Sequence, residues 1–127
     1  MALESFEDLN CWKANQELKV WLIPILKSLP KFEQYDMVDN CRRAARSTTR
    51  NIAEGFGRHH DKENRRFVRI SRGSLFEIKD DMITMEKEKY ISKEKYNEGI
   101  ELYYKALKLT NGYLRYLTKR IGDGMKI

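Results

Sequence analysis

The strongest constraint on this chain lies near its end. Tyr96, Ile100, Tyr103, Leu107, Thr110, Leu114, Leu117 and Ile121 recur in alternating steps of four and three. An α-helix turns once per 3.6 residues, so this rhythm keeps one face apolar along the whole stretch. At ~1.5 Å per residue such a rod is roughly 40 Å long, and it cannot bury its stripe against itself. It needs partners of similar length.

Three earlier segments have the right pattern. Over about 7–29, Cys11, Leu18, Leu22, Ile25 and Leu29 share one helical face, which Trp12, Val20 and Ile23 widen. Pro24 is expected to kink or interrupt this helix and Pro30 to close it. Over about 36–57, Val38, Cys41, Ala45, Thr48, Ile52 and Gly55 form an inward face of small side chains, with Gly57 as a left-handed C-terminal cap. Over about 62–89, Val68, Ser71, Leu75, Ile78, Met82 and Met85 repeat in threes and fours behind a capping Asp61. There Ser71, Gly73 and Ser74 form a compact patch expected to dock on Ala44 and Ala45. The final helix, about 92–120, starts at the N-cap Ser92. No strand pattern competes. The fold expected is all-α, an antiparallel up-down-up-down four-helix bundle occupying 1–127 as one domain.

The last helix carries a second stripe, Leu102, Ala106, Leu109, Tyr113 and Tyr116. One bundle member needs only one apolar face, so Leu102, Leu109, Tyr113 and Tyr116 are candidates for an interface between copies of the chain. The alternative is that the tyrosines roof the core of a single copy with their hydroxyls in water.

Composition places the chain among ordinary globular proteins: 41% of its 127 residues are hydrophobic and 35% charged. The longest apolar run, 20–26, is too short to cross a bilayer, and no apolar run follows a positive start. A cytoplasmic location is expected, with Cys11 and Cys41 as free, buried thiols.

The net charge of +6 is unevenly placed. Between Arg42 and Arg72 lie Arg42, Arg43, Arg46, Arg50, Arg58, Arg65, Arg66, Arg69, Arg72 and Lys62, against Glu54, Asp61 and Glu63. Ten bases against three acids leave that segment at +7, so the other residues sum to −1. Arg42, Arg46 and Arg50 step by four along one helix, and Arg65, Arg69 and Arg72 share a flank of the next. A guanidinium presents a planar fork of donors matched to phosphate oxygens and stays charged at any physiological pH. The nine arginines are therefore the candidate nucleic-acid-binding residues. The competing reading pairs them with Glu54, Glu77, Asp80 and Asp81.

Other chemistry is poorly supplied. His59-His60 is the whole histidine complement, and a metal site needs three or four convergent ligands. Gly55-Phe-Gly57 lacks the rest of a phosphate loop. Glu54 is expected to lock a neighbouring arginine rather than act as an acid or base. No cofactor, metal or catalytic residue is expected.

Several blocks resemble a known family: Phe6-Glu-Asp-Leu9 followed by Trp12, Arg42-Arg-Ala-Ala-Arg-Ser47, Asn51-Ile-Ala-Glu-Gly-Phe-Gly-Arg58, and Arg72-Gly-Ser-Leu75 followed by Glu77. Together they resemble the four-helix 23S rRNA intervening-sequence proteins, a family that also takes in the accessory variability determinant of diversity-generating retroelements. The resemblance runs from residue 6 to about 120. It implies a ring-like homopentamer, a basic surface for RNA or DNA, no catalytic residues and, in the retroelement branch, a reverse transcriptase partner. Two departures stand out. Thr48-Thr49 replaces a common Ile-Pro, implying a straighter second helix, and Pro24 is unusual.

Overall fold

The computed structural model describes residues 3–122, 124 and 127. Four helices follow in order: α1 (Asn10–Ser28), α2 (Met37–Gly57), α3 (Asp61–Lys87) and α4 (Lys93–Ile121). Two single 3₁₀ turns, Phe6–Asp8 and Lys31–Glu33, precede α1 and α2. There is no strand among the described residues. Short connections force antiparallel neighbours. Each helix packs on two others, α1 on α2 and α4, α3 on α2 and α4, and the most extensive contact joins α2 to α3.

The core follows the periodic stripes. Leu18 and Leu22 of α1, Cys41 and Ala45 of α2, Leu75, Ile78 and Met82 of α3, and Tyr103 and Ala106 of α4 pack in one cluster. Alanines on α2 leave room for α3 to come close. Buried polar groups tie the rods in register. Asn15 Nδ2 donates to Thr110 Oγ1 (3.0 Å), Ser71 Oγ to the Thr48 carbonyl (2.7 Å), and Asn64 Nδ2 to the Tyr113 hydroxyl (2.8 Å). A one-residue slip would strand these groups in an apolar interior, so they select this alignment over its neighbours.

Several local expectations need correction. Pro24 does not end α1, which runs through it to Ser28. The carbonyl left without a donor belongs to Val20, which like Pro24 lies on the exposed side, where water can satisfy it. Val20 and Ile23 accordingly lie on the exposed side and do not widen the core face. The left-handed residue after α2 is His59 (φ 54°), not Gly57. Asp61 is the first residue of α3, and its N-cap, His60, makes no side-chain capping bond. Ser71 and Ser74 do face α2, meeting Thr48 and Ser47. Gly73 faces solvent, however, and a Cβ there would meet nothing within 4 Å. Close packing does not account for it. Ser92 caps α4 as expected, accepting from the Lys95 amide at 3.0 Å.

Candidate nucleic-acid interface

The arginines divide into two sets according to which neighbour their helix face meets. On α2 the inward face is taken by Cys41, Ala45, Thr48 and Ile52. Arg42, Arg46 and Arg50, four residues apart, therefore form an exposed strip about one helical turn from step to step. Arg46 and Arg50 make no ion pair among the described residues. Arg42 and Arg43 share a single carboxylate, Asp39, at 3.6 and 3.7 Å in open solvent. Such exposed pairs contribute only ~0–1 kcal/mol.

A lysine joins this strip from α1. Lys19 Nζ donates to Thr49 Oγ1 at 2.9 Å. Its pKa lies below the ordinary lysine value, first because it is partly buried and then because Arg46 and Arg50 repel its proton. Lys19 thus lies close enough to Arg46 and Arg50 to share one basic seam between α1 and α2. Sequence reasoning missed Lys19, since the excess charge lay between Arg42 and Arg72 and only the docking of α1 on α2 brings this lysine alongside.

The α3 arginines are placed differently. Arg65 is only 6% exposed, and its Nη1 reaches Thr118 Oγ1 of α4 at 3.5 Å. One heptad on, Arg72 Nη1 donates to Asn111 Oδ1 (2.9 Å), and a further heptad on, Lys79 Nζ donates to the Tyr104 hydroxyl (2.9 Å). Arg69 is half-buried on the same flank. The shared flank read from the sequence is real, but it faces α4. Arg65 in particular is not the surface residue expected. Arg58 is held by Glu54 (2.8 Å) and Glu63 (3.9 Å), so Glu54 locks an arginine as anticipated. Arg58 and Arg66 both lie over the Phe67 ring.

The family model described as 23S rRNA-intervening sequence protein matches residues 7–112. The chain belongs to that family. No curated protein matches it. The span matched by the 23S rRNA-intervening sequence model takes in α1, α2, α3 and two-thirds of α4, including every arginine of the strip. The family is one of small helical proteins and not a known enzyme class. The Asn51-Ile-Ala-Glu-Gly block has a structural explanation here. Asn51 Nδ2 donates to the Ser47 carbonyl and hydroxyl, Ile52 is fully buried, Glu54 holds Arg58, and Gly55 admits Asn64.

The remaining candidate residues fall as follows. Leu102 and Leu109 are half-buried against their own chain's core. The Tyr113 hydroxyl takes the Asn64 amide, and burial pushes its pKa up to about 12. Only Tyr116, stacked on Tyr113 with ring centroids 6.1 Å apart, is exposed among these four. His59 and His60 line a cavity of about 730 Å³ with Asp61, Asn64 and Tyr116, where Arg120 pairs with Asp61 at 3.1 Å. Among the described residues no three His, Cys, Asp or Glu side chains are grouped to hold a metal. Nor is any helix there long and apolar enough to cross a membrane.

Proposed function

We propose that this protein is a non-enzymatic helical bundle that holds the phosphate backbone of RNA or DNA against its α1–α2 face. Arg42, Arg46 and Arg50 provide the guanidinium forks, Lys19 a fourth cation, and Arg43 a flanking one. One observation carries the proposal: Arg46 and Arg50 stand exposed, without an ion pair among the described residues, alongside the Lys19 ammonium that Thr49 Oγ1 holds at 2.9 Å. Phosphate oxygens are the ligand that neutralises such a row while releasing counterions. Arg65 and Arg72 act at second hand, by fixing α4 against α3.

The family resemblance adds a ring-like homopentamer, which would repeat the strip around the particle and raise its effective charge. Ile70, Phe76, Tyr104 and Tyr116, exposed on α3 and α4, offer apolar surface for that assembly alongside Leu102, Leu109 and Tyr113. Light scattering should then give five times the 15.2 kDa of one chain.

The test of binding is the double variant Arg46→Ala/Arg50→Ala against a labelled RNA. Affinity should fall at least tenfold while far-UV circular dichroism is unchanged, since both side chains are exposed. Unchanged affinity would remove the phosphate-binding role. A protein partner such as a reverse transcriptase is the competing reading. It is favoured by Ile70 and Phe76, exposed apolar side chains on α3. Capture that survives nuclease treatment would select that reading.

A further inference from the structure

Resting on the phosphate-binding role proposed above, we infer that the α1–α2 connection is a stacking platform for an unpaired base, so that the nucleic acid taken is single-stranded where it meets this end of the bundle. Phe32 is 76% exposed and Tyr35 88%, the highest values among the large hydrophobic residues described. They do not hang on a loose loop. The Glu33 amide donates to the Pro30 carbonyl (2.9 Å), Gln34 to Lys31 (3.1 Å) and Asp36 to Glu33 (3.1 Å). The Tyr90 hydroxyl donates to the Glu33 carboxylate at 2.8 Å, and Leu29 is buried beneath. The backbone that carries the two rings is therefore a fixed turn, so only side-chain freedom remains to be lost when a base settles on them.

The surroundings specify the ligand. Tyr35 lines a cleft of about 520 Å³ with Lys27, Lys31, Val38, Asp39 and Arg42. Arg42 is also the first residue of the α2 strip, so a strand whose phosphates follow Arg50, Arg46 and Arg42 arrives at the rings. Of the acids nearby, Asp39 meets Arg42 and Arg43 and Glu33 meets Tyr90, while Asp36 stands exposed beside Tyr35. Around the rings Lys27, Lys31, Gln34 and Asp36 are all exposed and polar. Two aromatic side chains in such a rim offer far less than the ~1,000 Å² a specific protein interface buries. The Tyr35 ring beside Lys27, Lys31 and Arg42, with Phe32 exposed on the same turn, suits a nucleobase, whose own faces are open only outside a duplex.

Fluorescence anisotropy with three ligands tests this: a labelled single-stranded RNA, the same strand with abasic sites, and the matching duplex. The variant Phe32→Ala/Tyr35→Ala should bind the intact strand roughly five- to tenfold more weakly, as loss of base stacking requires. It should bind the abasic strand as the wild type does. Arg46→Ala/Arg50→Ala should weaken both strands alike. If the aromatic variant loses affinity for intact and abasic strands equally, or for neither, or if the wild type prefers the duplex, the platform is overturned while the phosphate role stands. If the arginine variant changes nothing, the phosphate role itself falls. A smaller particle by light scattering for Phe32→Ala/Tyr35→Ala would assign the rings to a contact between copies, which also overturns the inference.

Discussion

Two glycines in helices should respond in opposite directions to the same change. Alanine in a helix interior is favoured over glycine by ~1 kcal/mol when nothing else intervenes. At Gly73, where a Cβ meets nothing within 4 Å, that gain should appear nearly whole. At Gly55 the new Cβ would lie 2.6 Å from Asn64 Oδ1 and 3.0 Å from both the Asn64 carbonyl oxygen and Phe67 Cβ. The last two atoms cannot swing aside. Asn64 Oδ1 could turn, but its amide nitrogen is committed to the Tyr113 hydroxyl at 2.8 Å, and turning would break that buried bond. Overpacking costs ~1–3 kcal/mol and an orphaned buried polar group a similar amount, so the propensity gain is outweighed and Gly55→Ala should lose ~2 kcal/mol net. The two variants should then differ by ~3 kcal/mol, which separates their urea midpoints by roughly 1–3 M for ordinary denaturant slopes. Far-UV circular dichroism at one fixed protein concentration reads this, since the stability of an assembly depends on concentration. A Gly55→Ala midpoint at or above the wild type would refute the account of the α2–α3 contact. A Gly73→Ala variant that is destabilised only at high protein concentration would show that another copy covers that face.

Three further outcomes follow from the buried polar groups. Tyr113→Phe removes the acceptor of the Asn64 amide and should cost ~1–3 kcal/mol in the same urea assay, and a loss within experimental error would contradict the link. Asp81, pushed up to about 6 by burial and then by Asp80, Glu77 and Asp36, holds its proton more tightly folded than unfolded. Its contribution therefore favours the fold below about pH 4 and is lost as pH rises through 6, so Asp81→Asn should raise the melting temperature more at pH 7.5 than at pH 4.5. An equal change at both values would show that another group titrates. Finally, burial raises the thiols of Cys11 and Cys41, to about 12 in the first case. Both should resist a disulfide reagent in the native protein and react only in urea, and fast native labelling would contradict their burial.

Much of the bundle was legible because its cause is local and periodic. The stripe from Tyr96 to Leu117 and the one from Val68 to Met85 are the core faces of α4 and α3. Helix ends were less so, because short-range hydrogen bonds decide them. Ser5 accepts from the Glu7 amide and Asp8 takes the Ser5 amide, which holds 6–8 as a 3₁₀ turn and delays α1 to Asn10. Periodicity also told which side chains share a face but not which neighbour that face meets. Arg42, Arg46 and Arg50 turn outward, whereas Arg65 and Arg72, with equally regular spacing, turn to α4. Lys19 and the rings of Phe32 and Tyr35 gave no periodic signal at all, and their position depends on how α1 returns into α2.

The salt dependence of RNA binding, compared between the wild type and Arg46→Ala/Arg50→Ala, tests the open basic strip most directly. Each phosphate neutralised adds ~0.7 to the log–log slope for a single strand and ~0.9 for a duplex. The wild type should show a steep negative slope and the variant one shallower by about 1.4 on a single strand, with the same helical content. Equal slopes for the two proteins would mean that these guanidinium groups meet no phosphate.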